Sequence, residues 1–142
     1  IKIFKGDITN TSSIESAIKD CEQVYHLAAY ARVWAPDLTI LSNLHVASLR
    51  NVLEAAKKFN IQKIVFTSTA GTLGPSATKP VKENDKRIGE PFTEYELTKT
   101  QAEILCREYC NKHNMHIVTV NPPRIYGPGI ITESNAVSRL MK

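Results

Sequence analysis

Apolar positions in this chain change period repeatedly, from two to 3.6 and back. Ile1 and Ile3 alternate with polar residues, Phe4 follows, and the run stops at Gly6-Asp7, which predicts a short strand ending in a turn. Ile14, Ala17, Ile18 and Cys21 recur at helical spacing. They predict a short amphipathic helix, with Ser12 and Glu15 as its capping box. "QVYHLAA" predicts a second strand that enters a loop at Ala28-Ala29, with Pro36-Asp37 inside that loop. Leu49, Val52, Leu53, Ala56 and Phe59 mark one face of a long helix over Leu38 to Phe59. "KIVFTST" is nearly continuous in apolar residues and predicts a third strand, buried on both faces as in a parallel sheet. A Gly- and Pro-containing loop covers Gly71 to Phe92, and a helix covers Glu94 to Lys112. "HIVTVN" predicts a fourth strand, "PPRIYGPG" a loop, and Ser134 to Lys142 the start of another helix.

The order β-α-β-α-β-α-β-loop-α predicts an α/β fold: a Rossmann-like, doubly wound parallel sheet in a three-layer αβα arrangement. Crossovers in such a sheet are right-handed. Ligands bind beyond the carboxyl ends of the strands. Gly6-Asp7, His26 to Ala29, Ser68 to Ala70 and Asn121 to Pro123 are therefore expected along one rim.

Composition narrows the function classes. The chain has 142 residues, 42% hydrophobic and 23% charged, which fits one globular domain. The net charge is +4, and no basic run exceeds Lys57-Lys58, so nothing resembles a nucleic-acid footprint. Apolar runs are too short for a membrane span, and no signal peptide is visible. The three cysteines, Cys21, Cys106 and Cys110, form no CxxC pair, so neither a metal site nor a disulfide framework is expected. Cys106 and Cys110 are expected as small buried or half-buried side chains, in a reducing, cytoplasmic compartment.

Candidate chemistry centres on "EYELTK". Tyr95 and Lys99 lie four apart on a predicted helix and share a face. A free phenol has a pKa near ~10, and a neighbouring ammonium lowers it toward the range of a useful proton-transfer group. The pair equally fits a part-buried helix tyrosine beside a solvated lysine. Thr69, at a strand end, could hold a substrate oxygen or merely satisfy backbone groups with Thr67 and Ser68. Asn43 could act in the site or cap its helix. Asp7 could be a turn residue. His26, in an apolar strand, reads as structural.

Taken together, the segments resemble the extended short-chain dehydrogenase/reductase family, also called the NAD-dependent epimerase/dehydratase family. The resemblance runs through "GDI" (6–8), "YHLAA" (25–29), "NLHVASLRNVLEAA" (43–56), "FTSTAGTLGP" (66–75), "YELTKTQAE" (95–103) and "VNPPRIYGPG" (120–129), so it covers essentially the whole chain. It implies Tyr95 as general acid/base. Lys99 would lower its pKa and hold the ribose hydroxyls of NAD or NADP. Thr69 would orient the substrate oxygen, and Asn43 would match the family's helix-opening Asn. It also implies cofactor contacts from Asp7, Ile8, Leu27, Ala28, Ala29, Thr67, Ser68, Pro122 and Pro123. A homodimer of the full-length protein is implied as well. The family more often has Ser at the Thr69 position, which makes Ser68 the alternative. Leu73-Gly74 replaces the Tyr-Gly usual in nucleotide-sugar epimerases. Together with "AAYARVWAPD" (28–37), this resembles the dihydroflavonol reductase and hydroxysteroid dehydrogenase branch. A carbonyl reductase or alcohol dehydrogenase is the expected activity, with a nucleotide-sugar epimerase or dehydratase as the alternative. A non-catalytic binding protein would be expected to have lost Tyr95 or Lys99.

The family's Gly-x-x-Gly-x-x-Gly phosphate turn has no counterpart in these residues. The chain is therefore expected to be a piece of a longer protein, lacking the first β-α-β unit and most of the C-terminal substrate region. In the strand order 3-2-1-4-5-6, two strands would be missing between the segment at Ile1 and the strand at Gln23. At ~4.8 Å per strand, that leaves a gap of roughly 10 Å beyond normal spacing, with exposed apolar edges. Residues 1–142 expressed alone are expected not to form a stable NAD-binding fold. Cooperative unfolding together with micromolar NAD(P)H binding by that segment would overturn this.

Overall fold

The computed structural model describes residues 2–76 and 78–125. The end of the "PPRIYGPG" loop and the helix expected over Ser134 to Lys142 lie outside the described residues. Helix α1 (Thr11–Ile18) is followed by strand β1 (Gln23–His26). A single helical rod then runs as α2 (Thr39–Ser42), a π-helical turn (Asn43–Ala47) and α3 (Ser48–Lys58). Strand β2 (Lys63–Thr67), a 3-10 turn (Ala70–Leu73), α4 (Glu94–His113) and strand β3 (Ile117–Val120) complete the order.

The three strands form one parallel sheet in the order β1-β2-β3. Val24 aligns with Ile64 and Ile64 with Ile117, while His26 aligns with Phe66 and Phe66 with Thr119. These residues share the sheet face that meets the helices. Leu49, Leu53 and Ala56 of α3 and Ala102, Leu105, Cys106 and Tyr109 of α4 pack on Ile64 and Phe66. Ile14 of α1 packs beside Val52 and Ala55 of α3. The α/β parallel architecture expected from the alternating periods is therefore present, with one helical layer among the described residues.

Several local expectations are corrected. Residues 2–6 form no strand, because no described strand lies beside them to complete a ladder; Ile3 is 84% exposed. β2 is not buried on both faces. Ile64 and Phe66 are buried, whereas Lys63, Val65 and Thr67 are half-buried, and Tyr25 on the same open face is 65% exposed. The cap of α1 is Asn10, whose side chain accepts from the Ser13 amide, rather than Ser12. The helix over Leu38 to Phe59 is continuous in direction but widens through the π turn, and Asp37 binds the Thr39 amide at its start.

Both long helices stop at asparagines in the left-handed region. Asn60 follows α3 at φ 54° and Asn114 follows α4 at φ 52°, a conformation that asparagine tolerates better than most residues. Leu53 is fully buried between the sheet and α4, whereas Ile104 faces outward at 46% exposure. In the full-length protein, Leu53→Ala is expected to lower unfolding free energy by about 2–5 kcal/mol. Ile104→Ala is expected to change it by less than about 0.5 kcal/mol. Urea denaturation of the two variants checks both values.

Candidate active site

The start of α4 is set by its own sequence. Thr93 is the N-cap, and its hydroxyl accepts from the Glu96 amide at 3.2 Å. Glu96 returns the bond one residue earlier, accepting from the Phe92 amide at 2.9 Å, in a variant of the capping box. Arg87 reaches in from the preceding loop. Its guanidinium pairs with Glu96 at 3.1 Å and donates to the carbonyls of Gly71 and Glu90. Gly74, at φ 79°, ends the 3-10 turn, and a Cβ there would lie 2.8 Å from Arg87 Cγ. The first turn of α4, which carries Tyr95, is thus held against the Gly71–Gly74 turn.

Tyr95 and Lys99 are not a solvated surface pair. Lys99 is 2% exposed. Its Nζ donates to the Thr67 carbonyl at 2.6 Å and sits 4.5 Å from the centre of the Phe66 ring. Burial pulls its pKa down to about 8, against the opposing pull of Glu103 and Cys106. Tyr95 is half-buried, and burial pushes its hydroxyl above the usual phenol range. Burial alone sets the direction of that shift, opposite to the lowering expected from Lys99. In this arrangement the ammonium is directed at a backbone carbonyl and an aromatic face.

His45 supports Tyr95 from the side. The π turn places its imidazole edge-on to the Tyr95 ring, 5.3 Å away at 87°. Nε2 lies 3.2 Å from the Tyr30 carbonyl and Nδ1 2.8 Å from Thr98 Oγ1. A carbonyl only accepts, so Nε2 carries the proton and Nδ1 is an acceptor, sharing the one Thr98 hydroxyl proton with the Glu94 carbonyl at 2.9 Å. Burial, then the Lys99 charge, pulls His45 down to about 4. His26, stacked on Phe66, is pulled to about 4 by burial, then Lys99 and His45. Both imidazoles are therefore neutral near pH 7.

Thr69, two residues beyond β2, is extended and caps the 3-10 turn, its hydroxyl accepting from the Gly71 amide at 3.2 Å. No acceptor among the described residues takes the Thr69 hydroxyl proton, which leaves it a donor toward the cleft. Ser68 is differently employed. It is buried, and its hydroxyl donates to Glu103 Oε1 at 2.5 Å, so its side chain is committed to the helix layer rather than to a ligand.

The expected site residues fall into two adjoining clefts. One, of about 420 Å³, is lined by Leu27, Ala29, Ala31, Arg32, Val33, Thr67, Ser68, Thr69, Tyr95, Lys99, Pro122, Pro123, Arg124 and Ile125. The other, of about 250 Å³, includes Asp7, Ile8, Leu27 and Ala28. Leu27 borders both. Asp7 forms a turn with Thr9, whose amide and hydroxyl both bond its carboxylate and hold its pKa below the usual value. Asn43 lines neither cleft. It lies within the helical rod at the start of the π turn, exposed, so it does not cap the helix as one reading expected. Cys106 is buried, its thiol pushed up to about 12 by burial, and Cys110 is half-buried, as their helix face implied.

Sequence reasoning missed His45, Thr98, Glu103 and Arg87, and placed Asn121 on the rim without a role. For Thr98 and Glu103 a signal existed. Tyr95, Thr98, Lys99, Ala102, Glu103 and Cys106 lie at successive three- and four-residue spacings. Polar residues on a stripe that also carries core positions are the mark of a buried polar network.

Comparison with known proteins bears on the family and the fold. The model of the "NAD dependent epimerase/dehydratase family" matches residues 1–142. "Dihydroflavonol 4-reductase" of Medicago sativa is 26% identical over 144 residues, covering 92% of this chain and 65% of that protein. The crystal structure of Bacillus cereus UDP-glucuronic acid 4-epimerase in complex with NAD is 28% identical, with a TM-score of 0.75, over 87% of this chain and 39% of that one. The UDP-glucose 4-epimerase of Thermus thermophilus, solved with NAD, superposes at a TM-score of 0.84 over 98% of this chain and 47% of that one. At 22% identity that last likeness speaks to the fold alone. The chain spans less than two thirds of each of these proteins.

The two buried histidines predict a pH dependence of stability. Their folded pKa values of about 4 lie below the unfolded value of 6.5. The unfolded state thus binds more protons between those limits, and stability falls as pH drops from 6.5 toward 4. Each histidine contributes up to roughly 3 kcal/mol to that loss. His45→Gln is expected to flatten the acid limb, read as urea midpoints between pH 4 and 7.

Proposed function

The chain belongs to the NAD dependent epimerase/dehydratase family, and from that membership we propose that its paired clefts serve NAD(P)-dependent hydride transfer at a carbon bearing a hydroxyl or carbonyl oxygen. One observation carries the reading: Tyr95, the buried Lys99 and Thr69 line one cleft at the carboxyl ends of the strands, beside Pro122 and Pro123. The cleft suits the nicotinamide end of such a cofactor, combining small and apolar groups with Lys99 as a buried cation, Arg32 and Arg124, and no carboxylate among the described residues. Lys99 and Thr67 would hold its ribose, Pro122 and Pro123 its ring, and Asp7, Ile8, Leu27 and Ala28 its distal part. When bound, the nicotinamide supplies or accepts the hydride.

The residues of this chain supply the proton and the orientation. Thr69 keeps a free hydroxyl proton with which to hold a substrate oxygen. Tyr95, a neutral phenol whose pKa burial raises further, donates a proton to that oxygen as a carbonyl becomes an alcohol, and takes it back in reverse. A charged Lys99 stabilises the phenolate left behind once the substrate and ribose reorganise the site. His45 holds the Tyr95 ring edge-on and brings no second titrating charge near neutral pH.

The preferred reaction is net carbonyl reduction or alcohol oxidation, consistent with Leu73-Gly74 and the "AAYARVWAPD" segment. Epimerisation or dehydration of a nucleotide sugar is the second reading. Arg32 and Arg124, which line the same cleft with no acid beside them among the described residues, favour an anionic substrate such as a sugar diphosphate. Stoichiometric consumption of NADH or NADPH with aldehydes and ketones supports the first. Conversion of a UDP-sugar without net consumption supports the second. In either case Tyr95→Phe in the full-length protein is expected to lower kcat by about 10²–10⁴-fold while NADH affinity changes little. Full turnover by Tyr95→Phe would remove both readings.

A further inference from the structure

We propose that Glu103 is a positioning residue: its buried carboxylate sets the Thr69 turn and Lys99 in register across the ends of β2 and β3. The proposal rests on the reading of Thr69 and Lys99 given above. Glu103 is 9% exposed on the inner face of α4, one turn beyond Lys99. Its Oε1 accepts from Ser68 Oγ at 2.5 Å, Thr72 Oγ1 at 2.7 Å and Asn121 Nδ2 at 2.8 Å. Those donors come from the end of β2, the 3-10 turn and the end of β3. The carboxylate's other oxygen faces Arg107 Nη1 at 3.7 Å.

The proton count shows how the carboxylate reaches Thr69. Thr72 has one hydroxyl proton with two acceptors in reach, Glu103 at 2.7 Å and the Thr69 carbonyl at 2.8 Å, and its oxygen accepts from Asn121 Nδ2 at 3.0 Å. The carboxylate is the stronger acceptor and takes it. Asn121 has two amide protons and three acceptors in reach: Glu103 at 2.8 Å, Thr72 Oγ1 at 3.0 Å and the Thr69 carbonyl at 3.2 Å. Glu103 therefore holds the Thr69–Thr72 turn through Thr72 and Asn121 together. The Ser68 and Ala70 amides bond the Val120 and Pro122 carbonyls, so the same clamp joins the strand ends that flank the cleft.

The second arm is electrostatic. Burial opposes the charge on Lys99, and Glu103 is the first group that favours it. Cys106 on α4, His45 from the π turn and His26 from β1 also face that ammonium, both histidines neutral near pH 7. Packing alone would not call for a carboxylate here. Three converging donors and a buried ammonium one turn away do.

Two variants of the full-length protein separate the arms. Glu103→Gln keeps an acceptor oxygen but loses the charge, and Glu103→Ala loses both. Amide hydrogen exchange at Ala70 to Thr72 reads the clamp. Reductive 13C-methylation followed by NMR titration reads Lys99, with Lys99→Arg assigning its signal. In Glu103→Ala, exchange at 70–72 is expected to speed up about tenfold while Leu53 and Leu105 stay protected. In Glu103→Gln, that exchange stays within about threefold of the parent, while the Lys99 midpoint falls by about one pH unit. An unchanged Lys99 midpoint in Glu103→Gln overturns the proposal, whether or not Glu103→Ala folds. Unchanged exchange in a folded Glu103→Ala also overturns it. A loosened turn and a lowered midpoint with undiminished turnover would instead leave the clamp standing and remove the catalytic roles of Thr69 and Lys99.

Discussion

One ammonium group has to stay charged inside this protein, and much of the surrounding structure follows from that demand. Lys99 lies almost out of reach of water, where an unpaired cation is strongly disfavoured. Three partners make the position tolerable: the Thr67 carbonyl, the face of the Phe66 ring and the nearby Glu103 carboxylate. Each comes at a structural cost elsewhere. Thr67 leaves one carbonyl turned toward a side chain, Phe66 must keep its ring beneath the amine, and Glu103 must itself be satisfied. Glu103 is satisfied by donors from both strand ends. A charge needed at one point thus organises the rim of the sheet around it.

The same demand explains the neighbouring histidines. Two imidazoles near a buried cation would be unfavourable if protonated, and burial together with the Lys99 charge keeps them neutral, against the opposing pull of the Tyr30 carbonyl on His45. His45 is delivered by a π turn, an insertion that shifts the helical register and turns an otherwise ordinary helix position toward Tyr95. Such turns cost hydrogen-bond geometry and are found most often where a side chain must be re-aimed. The rod from Thr39 to Lys58 is therefore part core scaffold and part site. Its second half packs Leu49, Leu53 and Ala56 on the sheet, and its π turn supports the tyrosine.

Helix α4 joins these functions. Its capping box and Arg87 fix the first turn, its middle buries Lys99 and Glu103, and its last turns bury Leu105, Cys106 and Tyr109 against the hydrophobic core. No independent loop carries the candidate acid/base group. Tyr95 sits on an element whose far end is anchored in the core, which suits a site that must hold reacting atoms to within a fraction of an ångström.

The sequence by itself determined the alternation of strands and helices, because the apolar period is local and survives without knowledge of neighbours. It also determined the polar chemistry at the strand ends, and "EYELTK" marked the helix that bears Tyr95 and Lys99. Its boundaries failed where pairing decides. The segment at Ile3 and Phe4 has a strand's pattern but no described strand beside it, and β2 is buried on one face although its composition suits two. The tertiary structure alone decided which polar residues act together. Spacing could not show that Lys99 is buried rather than solvated, that Ser68 answers to Glu103 while Thr69 faces the cleft, or that a π turn brings His45 to Tyr95. Those outcomes depend on contacts between residues far apart in the chain, where packing and desolvation set the energies and local pattern carries no information.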